Sequence, residues 1–148
     1  MEKVNIKIDV GIITHPSVKE DPYVNISLNG YPQFGEILKN DTLVDIDVEI
    51  QDNAQNFLSV EYMNKDPYND VYTGHDGEIS QDKRVIINSI SFDNIKLDFL
   101  KLDDFLTYEP LDPEGKSATG FNASKLSWNG RTTLKFTTPI YIWLLENL

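Results

Sequence analysis

Between Asn64 and Arg84 the chain runs "NKDPYNDVYTGHDGEISQDKR", which gathers Asp66, Asp70, Asp76, Glu78 and Asp82 with the amides of Asn64, Asn69 and Gln81. Oxygen donors of this kind suit a hard cation: calcium takes about six to eight of them from carboxylates, amide and backbone carbonyls, and water. The spacing is not that of an EF-hand. Counted from Asp66 or from Asp70, the glycine and the closing glutamate fall in the wrong places. Ligands would have to be gathered from distant positions of one long loop. Hairpin loops are roughly 2–5 residues, and loops beyond about 12–15 are usually functional or disordered. The plainer alternative is an acidic loop that simply faces solvent.

Other chemistries have less to draw on. The chain has no cysteine, which excludes a disulfide scaffold, a thiolate metal site and a cysteine nucleophile. His15 and His75 are the only histidines, and no HxxxH partner accompanies His75. No GxSxG or phosphate-binding glycine loop occurs. Glycoside hydrolysis needs two carboxyl groups about 5–9 Å apart in a cleft. A chain with 24 acidic residues always offers some pair, so finding one decides nothing. The expectation is a protein that is not an enzyme.

Charge narrows the partners. The formal net charge is −11, and residues 41–114 hold 18 of the 24 acidic residues but five of the 13 basic ones. No basic stripe is present to follow a nucleic-acid backbone or an anionic membrane surface. No apolar run approaches the roughly 18 residues of a membrane span. "MEKVNIKIDV" alternates where a signal peptide would be continuously apolar. The expected protein is soluble, with neither nucleic acid nor membrane insertion among its roles. It is made in the cytoplasm and remains there, or leaves by a route such as cell lysis.

The elements that would position the acidic loop are strands. A chain of 148 residues is expected to form one domain. In "TLVDIDVEI", Val44, Ile46, Val48 and Ile50 share one face against Asp45, Asp47 and Glu49. Val4, Ile6, Ile8 and Val10 repeat that pattern near the start. "YVNISLNG" alternates and ends in the turn signal Asn29-Gly30. "FLSVEYM" leads into the loop, and the β-branched "RVIINSISF" leaves it as a more buried strand. "IKLDFLKLDDFLTYEP" predicts a strand followed by one short helix near residues 100–107. Alternation at Leu134 and Phe136 predicts a late strand, interrupted by Pro139 and resumed in "IYIWLL". Seven to nine such strands imply an all-β, antiparallel β-sandwich, jelly-roll-like, with two sheets face to face.

Within that frame, "LSVEYMNKD", a spacer and "DKRVIINSISFDN" resemble the calcium-dependent xylan-binding carbohydrate-binding modules. The resemblance runs roughly from Tyr23 to Asn94 and implies a jelly-roll sandwich. In that family a strand enters an Asn-Asp pair and, after a loop, Asp and Arg open the next strand. Asn64 stands at the first position of the pair and Asp82 at the opening aspartate. Asn88 replaces an internal aspartate, and Asp93-Asn94 replaces a closing Asn-Gly. Lys65 stands where the second residue of the pair, a calcium ligand, would be. Asp66 takes that role if the loop shifts by one residue. The resemblance thus implies calcium as cofactor, with Asn64, Asp66, Asp70, Asp76 and Asp82 as its ligand set. It also implies a glycan as ligand, for which Tyr68, Tyr72 and Trp128 are the candidate aromatic faces.

A second function class stays open: a structural or assembly protein, such as a phage virion or tail accessory subunit. It would use the sandwich for protein–protein contact or host attachment, in a homo-oligomer or larger assembly, extracellular after lysis. The apolar "PIYIWLLENL" should dock on the chain's own core or on a neighbouring subunit.

Overall fold

The computed structural model describes residues 1–16, 18, 20–66, 72–73, 79–111 and 123–148; for 72–73, 79–81 and Phe99 the backbone alone is described. Two antiparallel sheets dominate. The first is ordered β11 (Lys125–Leu126), β8 (Arg84–Phe92), β1 (Glu2–Ile13), β4 (Thr42–Ile50), with β9 (Ile95–Asp98) also pairing with β8. The second is ordered β10 (Leu106–Pro110), β12 (Gly130–Thr137), β5 (Gln55–Tyr62), β2 (Tyr23–Leu28), β3 (Tyr31–Ile37). A two-stranded ribbon, β6 (Tyr72–Thr73) with β7 (Ile79–Gln81), lies within the long acidic loop. The expected antiparallel β-sandwich is the observed fold.

Period-2 patterning builds the core. Val4, Ile6, Ile8 and Val10 of β1 are buried, as are Val24, Ile26 and Leu28 of β2 and Leu58, Val60 and Tyr62 of β5. These inward rows meet face to face in one apolar cluster. Burying such a side chain stabilises by ~1.5–3 kcal/mol relative to leaving it exposed. In β8 the buried apolar positions change parity, from Val85 and Ile87 to Ile90 and Phe92. A register shift against β1 lies between Asp9 and Val10, where Asn88 on β8 has no partner. The extra residue of a bulge flips the pleat, so both halves of β8 still face the core.

Turn chemistry joins the strands. Asn29 (φ 51°) and Gly30 (φ 82°) link β2 to β3, as the Asn-Gly signal predicts. Asp93 (φ 49°) and Asn94 (φ 69°) do the same between β8 and β9. The backbone N–H of Asn5 donates to Asp93 Oδ1 at 2.8 Å, tying that turn to β1.

Two helices meet at one end of the sandwich. The predicted short helix is α1 (Phe99–Phe105), started by Asp98, whose carboxylate accepts from the N–H groups of Leu100 and Lys101. The last segment corrects the strand expectation: "IYIWLL" lies in α2 (Ile140–Asn147), not in a resumed strand. Its buried residues are Ile140, Trp143 and Leu144, a helical spacing that the apparent alternation of Ile140 and Ile142 concealed. Trp143 packs on Phe92 (6.2 Å between centroids), Phe136 (6.3 Å) and Phe105 (5.5 Å), bridging both sheets and α1. No helix among the described residues is long and apolar enough to cross a membrane.

Candidate functional site

β8 and β12 both end near the aromatic cluster, so their starts mark the opposite end of the sandwich. There the two sides of the acidic loop meet. Lys83 precedes β8 in phase with Val85 and Ile87, so the pleat directs it inward, and it is 1% exposed. Its Nζ donates to the carbonyls of Glu20 at 2.8 Å and Asn64 at 2.9 Å. It also lies 5.9 Å from the centroid of the buried Tyr62 ring.

Lys65 enters from the other side, with its side chain 0% exposed. Its Nζ donates to Asp82 Oδ1 and, at 2.6 Å, to the carbonyl of Lys83. Asp82 is enclosed by further donors: the Lys83 N–H reaches Oδ1 at 2.8 Å and Arg84 Nε reaches Oδ2 at 2.8 Å. Asn129, in the turn before β12, clasps the Lys65 backbone. Its Oδ1 accepts from the Lys65 N–H at 2.7 Å and its Nδ2 donates to the Lys65 carbonyl at 3.0 Å. A buried ammonium costs several kcal/mol in lost hydration unless carboxylate and carbonyl oxygens replace the water. Both lysines have such replacements.

The sequence-predicted ligands are only partly brought together. Asn64 and Asp82 do meet at this junction, but their polar atoms serve the chain itself. Asn64 Oδ1 accepts from the Tyr23 N–H and its Nδ2 donates to the Asp21 carbonyl, both at 2.8 Å, pinning the β1–β2 connection. Asp66 is half-buried just beyond Lys65. Asp70 and Asp76 lie outside the described residues. Among the described residues no group of three or more histidine, cysteine or acidic side chains is placed to hold a metal ion. The described donors, with two ammonium groups in their midst, do not fit a divalent cation.

Tyr68 lies outside the described residues. Tyr72 opens β6, opposite Gln81 of β7. Trp128 is half-buried in the turn that carries Asn129.

Sequence reasoning missed Tyr31. It follows the Asn29-Gly30 turn on edge strand β3, and it is 73% exposed. It lines an open cleft of about 420 Å³ between β3 and β4, together with Asn29, Gln33, Asp47, Glu49 and Gln51. The signal was an aromatic after a tight turn and before Pro32, on a strand whose alternation was too weak to notice. A second polar cleft of about 460 Å³ lies on the other side of β4, where Lys3, Asn5 and Asp93 join Asp47 and Glu49.

The sequence matches no protein-family model and no curated protein sequence. The fold does match a solved structure, vCBM60, described in work on a circular-permutation link between two families of calcium-dependent carbohydrate-binding modules. The two chains are 11% identical, the match covers 88% of this chain and 89% of that one, and the TM-score is 0.53. The likeness is one of fold.

Proposed function

We propose that this protein is a non-catalytic glycan-binding module. The observation that carries the reading is the sandwich itself. It follows the fold of a carbohydrate-binding module over 88% of the chain. It also juxtaposes Asn64 and Asp82, the residues that resemble that class in sequence. The open cleft beside Tyr31 supports it further. A sugar ring presents an apolar face to an aromatic and a rim of hydroxyls to amides and carboxylates. Tyr31 supplies the first, and Gln33, Asp47, Glu49 and Gln51 the second.

The test is a glycan array probed with the intact chain in calcium and, separately, in chelator, followed by calorimetry on the best ligand. Tyr31→Ala should weaken binding about tenfold, because an aromatic contact is worth up to ~1.5 kcal/mol. Its melting midpoint should stay unchanged. An array with no glycan bound would overturn the reading.

A second reading, a subunit of a larger assembly, is supported by the exposed face of α2. Tyr141, Ile142, Leu145 and Leu148 are each more than half exposed. They adjoin an apolar hollow of about 260 Å³ lined by Ile95, Tyr141, Leu144, Leu145 and Leu148. Light scattering separates the readings: a monomer at all concentrations counts against self-assembly.

A further inference from the structure

Two pairs of oxygen atoms line the junction where the acidic loop leaves and rejoins the sandwich: Asp82 Oδ1 with the carbonyl of Lys83, and the carbonyl of Glu20 with that of Asn64. One carboxylate with several carbonyls, drawn from separate chain segments, is the donor chemistry of a hard-cation site. In this chain each of the four accepts a hydrogen bond from a lysine ammonium. Lys65 Nζ takes Asp82 Oδ1 and the Lys83 carbonyl, and Lys83 Nζ takes the carbonyls of Glu20 and Asn64. Neither side chain has more than 1% of its surface exposed.

We propose that Lys65 and Lys83 are built-in cations that do the work of a divalent ion at this junction. They hold the β1–β2 connection, the end of β5 and the start of β8 together without metal. The geometry is over-determined in their favour. Asn129 fixes the Lys65 backbone on both sides, and the pleat of β8 fixes the direction of Lys83. Asp82 is further neutralised by Arg84. A divalent ion entering here would meet two ammonium charges on those same oxygens, at a site buried from solvent. The anchorage of the loop is therefore independent of ambient calcium and of chelators. This holds whether or not a glycan binds, so it stands apart from the proposed function.

Three measurements test it. The melting midpoint of the intact chain should agree within about 1 °C in chelator and in about 5 mM calcium, a concentration that fills even weak extracellular-type sites. A rise of several degrees with calcium would overturn the proposal. In ¹⁵N spectra of the lysine side chains, two ammonium signals should be protected from rapid exchange with water and unmoved by calcium. Their absence, or their displacement by calcium, would overturn it. Finally, Lys65→Asp exchanges the tethered cation for a carboxylate and should acquire a calcium-dependent midpoint. A folded variant indifferent to calcium would overturn the proposal, and if that variant does not fold the two wild-type measurements decide. A blank glycan array would sink the proposed function and leave this inference untouched. A calcium-stabilised wild type would do the reverse.

Discussion

Replacing Lys65 by methionine isolates the contribution of its charge. The two side chains are similar in length and the site is closed to solvent, so the swap leaves little cavity. What it removes is one ammonium, with its hydrogen bonds to Asp82 Oδ1 and the Lys83 carbonyl. Removing one partner of a buried ion pair costs ~3–5 kcal/mol, chiefly because the other charge is left uncompensated. Here the compensation is partial. Asp82 keeps the Lys83 N–H on Oδ1 and Arg84 on Oδ2, both at 2.8 Å. The Lys83 carbonyl, by contrast, keeps the Tyr62 hydroxyl at a long 3.4 Å. The low end of the range follows, about 3 kcal/mol. For a chain of 148 residues each kcal/mol moves the midpoint by roughly 2–4 °C, so the midpoint should fall by about 6–12 °C. The control is Lys3→Met: that side chain is 85% exposed and lies 3.8 Å from Glu49, a surface pair worth ~1 kcal/mol at most. Calorimetric melts of both variants at neutral pH make the comparison. If Lys65→Met shifts the midpoint no further than Lys3→Met, the lysine does not anchor the junction and the reasoning fails.

Trp143→Ala should cost ~3–5 kcal/mol, since it opens a cavity against Phe92, Phe136 and Phe105, and a melt together with near-ultraviolet circular dichroism measures it. Tyr141 titrates above its ordinary value because the charge of Asp93 opposes the phenolate, with some desolvation and a hydrogen bond to Asp93 adding to this. The neutral phenol is therefore the form the fold favours. Its contribution is complete below the unfolded value of about 10 and is lost as pH rises through the folded one. Asp93→Asn should lower the tyrosine titration followed by ultraviolet absorbance, and an unchanged curve would contradict the contact.

The sequence by itself determined the strongly alternating strands. Alternation in "TLVDIDVEI" and in the segment from Val4 to Val10 leaves β4 and β1 one apolar face each, and a half-buried antiparallel strand is the structure that uses it. Asn29-Gly30 fixed a turn because both residues must take positive φ. The residue types at Asn64 and Asp82 also marked the junction. The parity change in β8 was harder to see, because a bulge at Asn88 becomes apparent only when β1 is laid beside it. The terminal helix is not legible in the sequence because six apolar residues in a row satisfy a strand or a helix equally, and only packing on Phe92, Phe136 and Phe105 selects the helical spacing of Ile140, Trp143 and Leu144.

Tertiary structure alone decided the role of the lysines. A lysine type ordinarily signals surface, since its charge is costly to bury unless paired. Nothing local to Lys65 or Lys83 announces that Asp82 will meet the first ammonium and the carbonyls of Glu20 and Asn64 the second. Those oxygens come from segments far apart in sequence, and they meet the lysines only after β1, β5 and β8 have packed. A loop whose composition favoured an external cation was thus closed by cations the chain carries itself.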